Sequence, residues 1–128
     1  MRILAIGAHL DDIEIASGGT LAKAISAGHD VKVLIMSKSG YTNKEGKVQR
    51  SDDVAVKEGL NALHTLGISD IEILNFETKD IPFRSDVVNA IDIRMAEYNP
   101  DIIFTHHPFD THQAHEGVSK ATMLQYAC

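Results

Sequence analysis

Gly7-Ala8-His9-Leu10-Asp11-Asp12-Ile13-Glu14 sets an imidazole and three carboxylates close together, directly behind the apolar run Arg2-Ile3-Leu4-Ala5-Ile6. The run reads as a buried strand and the segment after Gly18-Gly19 as a helix, which puts the polar cluster on a strand-to-helix turn. Turns at strand carboxyl ends are where open α/β sheets bind ligands. Two readings stand side by side. In one, the cluster is a metal site with a catalytic carboxylate. In the other, Asp11 and Glu14 cap the following helix while Asp12 adds charge to its first turn.

Outward from this turn, strand and helix alternate. Leu21, Ala22 and Ile25 recur at helical spacing before Gly28, and Val31 to Met36 forms a second β-branched strand. Residues 37–50 read as a polar loop over the same sheet end. A second helix starts at Ser51-Asp52-Asp53 and shows Val56, Leu60 and Leu63 on one face up to Gly67. Ile71 to Leu74 makes a third strand, and a third helix runs from near Ser85 to Asn99-Pro100. Asp101 to Thr105 is the fourth strand, opening into His106-His107-Pro108-Phe109-Asp110-Thr111-His112-Gln113-Ala114-His115. The pattern predicts an α/β fold of parallel βαβ units with helices on both faces. Winding out from strand one to strand three and back across it gives the order 3-2-1-4, which brings both polar clusters to one sheet edge, on strands about 4.8 Å apart. The order 2-1-3-4 would place a strand between them.

Composition narrows the function classes. With 128 residues, the chain has the size of one domain, and 44% hydrophobic with 23% charged residues is ordinary for a soluble protein. No stretch approaches the roughly 20 apolar residues of a membrane span, and no basic-apolar export signal opens the chain, so a cytoplasmic location is expected. The single cysteine, Cys128, fits a reducing compartment. A net charge of −6 without a basic stripe argues against nucleic acid. A homo-oligomer is left open.

Four histidines within residues 106–115 exceed what a helix start requires, although Asp110 followed by Gln113 also fits a cap. His112 and His115, three apart, share a face once a fourth helix has begun. His29 and His64 stand alone and receive no role. An open site of His, Asp and a second His with a water suits catalytic zinc, which lowers the pKa of that water to about 7 and polarises a carbonyl. Of two adjacent carboxylates, one can coordinate while the other acts as general base.

Ala8-His9-Leu10-Asp11-Asp12-Ile13-Glu14 resembles the AHPDDxE signature of the PIG-L/LmbE-like family of zinc-dependent N-acetylglucosaminyl deacetylases, and Asp110 to His115 resembles its later DxHxDH motif. The resemblance implies a Rossmann-like three-layer sandwich and one zinc per chain, held by His9, Asp12 and His115. It further implies that Asp11 is general base on the zinc-bound water and that His112 stabilises the oxyanion or protonates the leaving amine. Asp110 and Glu14 would support these groups from behind, and Tyr41 and Arg50 of the 37–50 loop would contact substrate. That substrate is a small-molecule N-acetyl sugar conjugate, which loses acetate to leave a free amine. Iron(II) fits the same ligands.

The chain departs from the pattern at Leu10, where the family carries proline, and at Ala114, where it commonly carries Asp. Arg50 also falls a few residues before the place where the family often has an Arg. Residues 1–128 read as a single LmbE-like domain, and because relatives run further, as the N-terminal portion of a longer family domain, truncated after the fourth strand and its helix. The alternative reading is then a metal-binding but catalytically inactive fragment or interaction domain. A signalling receiver domain would need an acceptor Asp where Asn75 and Phe76 stand, a dinucleotide site lacks its second glycine, and no G-x-S-x-G follows a strand.

Overall fold

The computed structural model describes residues 1–125, so Cys128 lies outside the described residues. In chain order the elements are β1 (Arg2–Gly7), α1 (Asp12–Ser26), β2 (Asp30–Ser37), β3 (Tyr41–Thr42), β4 (Val48–Arg50) and α2 (Asp52–Thr65). They continue with β5 (Asp70–Phe76), α3 (Ser85–Tyr98), β6 (Ile102–Phe104) and α4 (Gln113–Leu124). Four strands form a parallel sheet in the order β5-β2-β1-β6, the predicted 3-2-1-4 winding. Arg2 stands opposite Asp30 and Gly7 opposite Ile35, while Ile3 stands opposite Ile102 on the other side of β1.

The period of two along the strands sorts the core into two layers. Leu4 and Ile6 of β1 join Leu34 and Met36 of β2 against Val87 and Ile91 of α3 and Val118 and Ala121 of α4. Ile3 and Ala5 join Val33 and Ile35 on the opposite face, against Ile13 and Leu21 of α1 and Leu63 of α2. Leu4, Ile6, Leu34 and Ile35 are almost completely buried, each a contribution of roughly 1.5–3 kcal/mol. A sheet covered on both faces explains why β1 and β2 read as continuous apolar runs rather than alternating ones. No helix among the described residues is long and apolar enough to cross a membrane.

Three expectations shift. Helix α1 begins at Asp12, six positions before Gly18, and carries both glycines inside it. Residues 37–50 are not all loop: β3 and β4 pair antiparallel, and the Asn43 side chain accepts the amides of Glu45 and Lys47 at 3.0 and 2.9 Å to shape the turn. Helix α4 is capped by His112, whose Nδ1 accepts the Ala114 amide at 3.2 Å, rather than by Asp110. Gln113 turns away and accepts the Ile81 amide at 3.1 Å. That approach needs Gly117, because a Cβ there would lie 1.8 Å from the Ile81 carbonyl oxygen.

Candidate active site

The turn after β1 is fixed from several sides. The Ala8 carbonyl accepts the Ser37 hydroxyl at 2.9 Å, and the Leu10 amide donates to Ser39 Oγ at 2.8 Å, so the end of β2 holds it. A proline at position 10 would have no N–H for that bond. The Leu10 side chain is buried against α2 at Gly59, where a Cβ would come within 2.3 Å of Leu10 Cδ2. Asp11 follows with φ +99°, an uncommon backbone region for a residue with a side chain. Its amide donates to Glu14 Oε2 at 2.8 Å, so the predicted cap is present on the Glu14 side. Burial, joined by the charges of Asp11 and Asp12, raises the Glu14 pKa.

Asp12 lies at the centre. One of its oxygens, Oδ2, accepts the His9 amide at 2.9 Å and lies 3.4 Å from His9 Nδ1, 3.3 Å from His106 Nε2 and 3.2 Å from His115 Nε2. Burial alone would raise its pKa, but the hydrogen bonds from the His9 ring and amide and the nearby His115 imidazole outweigh that and hold it well below the usual carboxylate range. His9 responds in the opposite direction. Its burial favours the neutral ring, yet hydrogen bonds to Asp12 and the Thr78 carbonyl and the Asp12 charge raise its pKa overall. His112 is lowered by burial and by the neighbouring His115 and His9.

Partners behind the rings fix which nitrogens face inward. His9 Nε2 is bonded to the Thr78 carbonyl, leaving Nδ1 toward Asp12. His115 Nδ1 lies 3.0 Å from Asp110 Oδ2, leaving Nε2 toward Asp12. An imidazole tied by one N–H to an oxygen and offering the other nitrogen is the usual arrangement around a bound metal. Asp110 is in turn held by the His112 amide at 2.8 Å, and that bond, with His115, lowers its pKa.

This donor set fits a small divalent cation. Ligands bound tetrahedrally at about 2.0–2.1 Å stand about 3.3 Å from one another, close to the spacings around Asp12 Oδ2. Two trios of donors, His9–His112–His115 and Asp12–His106–His115, each gather within 4.8 Å. Nitrogen and oxygen donors without sulfur suit a catalytic rather than a structural zinc.

The folded chain therefore brings His9, Asp12, His112, His115 and Asp110 together from two distant parts of the sequence. The His112 ring centroid lies 4.5 Å from that of His115 and 5.0 Å from that of His9. Asp11 stays exposed at the rim, its Oδ2 3.6 Å from the Arg50 guanidinium, which also lies 3.6 Å from Glu58. Arg50 and Tyr41 line a groove of about 570 Å³ with Lys38, Phe76, Thr78 and Lys79. Because Thr78 also holds His9, the groove opens beside the cluster. Two contributors had no role in the sequence reading. His106 stood visibly at the end of the fourth strand, within an unexplained excess of histidines. Thr78 acts through its backbone carbonyl, for which a sequence carries no signal.

Residues 4–126 match the family model described as PIG-L, GlcNAc-PI de-N-acetylase. An uncharacterized deacetylase of Escherichia coli, YaiS, is 34% identical over 128 residues, covering 95% of this chain and 66% of its own length. The diacetylchitobiose deacetylase of Thermococcus kodakarensis is 26% identical, over 89% of this chain and 43% of its own. The chain thus spans between about two fifths and two thirds of these relatives. Among solved structures, the N,N'-diacetylchitobiose deacetylase of Pyrococcus horikoshii superposes with a TM-score of 0.86 at 24% identity, covering 98% of this chain and 49% of that one. It shares the fold. With a model match running over nearly its whole length and both motifs folded into one cluster, the chain belongs to the PIG-L family of de-N-acetylases.

Proposed function

We propose that this chain carries the catalytic centre of a zinc-dependent N-deacetylase that removes acetate from an N-acetylglucosamine-type conjugate. The observation that carries the reading is the Asp12 carboxylate, approached by His9 and His115 nitrogens whose far sides are tied to Thr78 and Asp110. His9, Asp12 and His115 would hold the ion, with iron(II) as the alternative occupant. When bound, it would supply an acidified water and a Lewis acid for the amide carbonyl.

The chain's own groups take the remaining roles. Asp11, exposed beside Asp12, accepts the proton of the attacking water, and the Arg50 contact keeps its carboxylate turned to the rim. His112, whose Nδ1 accepts the Ala114 amide and whose proton therefore sits on Nε2, donates a hydrogen bond from Nε2 to the oxyanion, and the proton that Asp11 has taken from the water passes to the departing amine. Asp110 holds the His115 ring, and Glu14 holds the Asp11 amide. The 570 Å³ groove receives the sugar, with the half-exposed Tyr41 ring as a wall and Arg50 as a donor. Ala114, buried where the family commonly has Asp, is the one observation that favours metal binding without turnover.

Protein purified without chelator is expected to hold about one zinc per chain and to release acetate from N-acetylglucosamine conjugates. Asp11→Asn should keep the metal and lose hydrolysis by about 10²–10⁴-fold. Undiminished turnover in that variant removes Asp11 as base, and a metal-free parent removes the whole reading. Stoichiometric zinc without acetate release selects the inactive alternative.

A further inference from the structure

His106 belongs to neither motif, yet it touches both halves of the cluster. The ladder between β1 and β6 ends at the Ala5–Phe104 pair, leaving the Ala8 amide beyond it without a strand partner. That amide donates to His106 Nε2 at 2.9 Å. The same ring lies flat against His115, with centroids 4.0 Å apart and planes 9° from parallel. Only 12% of the His106 side chain is exposed.

We propose that His106 is a positioning residue for the cation site: it fixes the plane of His115 by stacking and locks the β1 turn by accepting the Ala8 amide. The two ligand-bearing turns then keep one separation whether or not an ion is present. Its 3.3 Å approach to Asp12 invites the rival view that His106 is itself a ligand. The hydrogen bond decides against that. An unprotonated imidazole nitrogen has a single lone pair, and at Nε2 the Ala8 amide already uses it. Coordination would leave the Ala8 amide without its acceptor, a cost of about 1–3 kcal/mol for a buried donor.

This inference rests on the cation site proposed above, and its test uses zinc alone rather than turnover. Three variants separate the two contacts. His106→Phe keeps a ring face and removes the acceptor; His106→Gln keeps an acceptor of similar reach and removes the ring; His106→Ala removes both. Zinc affinity by chelator competition should fall about 10–100-fold in the Ala variant. The Phe and Gln variants should each lose a smaller share, and X-ray absorption should count the same number of imidazole ligands in every zinc-loaded protein.

Nitrogen NMR of the metal-free parent should find the His106 proton on Nδ1. Affinity within about twofold of the parent in the Ala variant, or in both Phe and Gln variants should Ala fail to fold, overturns the proposal. So does an imidazole count that drops by one in the Gln variant, which would make His106 a ligand. A parent that binds no zinc removes the site and this role with it, whereas a zinc-binding parent indifferent to all three substitutions removes this role alone.

Discussion

Ala8 to Asp11 joins β1 to α1 and is tied to the rest of the molecule, whereas on the longer way from β6 to α4 the chain beyond His106, residues 107–112, is tied mainly to itself. Ser37 and Ser39 hold the first, and Leu10 sinks beneath α2 with 2% of its surface exposed. In the second, the Asp110 amide bonds the His107 carbonyl, the His112 amide bonds Asp110, and Phe109 is 86% exposed. A turn fixed by the core couples function to stability. One fixed by local polar bonds leaves stability nearly untouched when it changes.

The sharpest way to break this contrast is to remove the carboxylate that follows the short turn, at the first residue of α1, and one carboxylate within the long turn. Asp12→Ala deletes the oxygen on which three imidazoles converge and should abolish stoichiometric zinc, a loss of more than about 10³-fold in affinity. Asp110→Ala frees the His115 ring without removing a ligand and should weaken zinc by about 10–100-fold at an unchanged metal-free melting temperature. Equal losses in chelator competition would mean that Asp110 does more than orient His115.

Packing gives the next effect. A methyl group at Gly59 must displace Leu10, so Gly59→Ala should cost about 1–3 kcal/mol in denaturant unfolding and lower zinc affinity with it. Phe109→Ser, on the open turn, should stay within about 0.5 kcal/mol of the parent. A neutral Gly59→Ala would show that the first turn yields as easily as the second.

The same contrast explains how much of the molecule a sequence could disclose. The four sheet strands follow from apolar runs that alternate with helical periods, and both polar clusters follow from charge placed at strand ends, whereas the same runs are compatible with the orders 3-2-1-4 and 2-1-3-4 and only the fold selects the first. Helix α1 was harder: Gly18 and Gly19 each lower helix propensity by about 1 kcal/mol, while the Asp11–Glu14 bond that starts the helix earlier was equally consistent with a metal turn. Strands of two and three residues, as in β3 and β4, carry too little pattern to be seen, although Asn43 and Gly46 mark their turn. His112 as a cap and His106 as an acceptor use imidazole nitrogens where Ser, Asp or a carbonyl is the common partner. Such substitutions become visible only when both ends of the bond are in place.

Acidity should separate the metal-free and zinc-loaded forms. The raised His9 pKa stabilises the metal-free fold fully below the ring's unfolded value of 6.5, and that contribution fades as pH rises through the higher folded value. Zinc needs the unprotonated ring, so its affinity climbs over the same interval, by up to about tenfold per pH unit for one displaced proton. The rising affinity widens the melting-temperature gap between loaded and metal-free protein from pH 6 to 8. Asp12, with its lowered pKa, acts only in acid: its contribution is complete above 3.8 and is lost as pH falls through the folded value. A gap that narrows with rising pH would contradict His9 as a ligand.

The smallest expected change in stability that differs from zero has the opposite sign from the others. Asp11 holds φ +99° and ψ −31°, which costs a residue with a Cβ on the order of 1–3 kcal/mol and costs glycine almost nothing. Its carboxylate is 57% exposed and faces Arg50 across 3.6 Å, a pair worth little to stability. Asp11→Gly should therefore raise stability by about 1 kcal/mol, the strain relieved less the added freedom of the unfolded chain, while hydrolysis disappears with the base. The backbone would thus be strained at the one residue of the tight turn whose side chain the core does not require. Denaturant unfolding of Asp11→Gly beside Asp11→Ala tests this directly: a glycine variant no more stable than the alanine variant would mean that the turn, rather than its side chain, is content with that geometry.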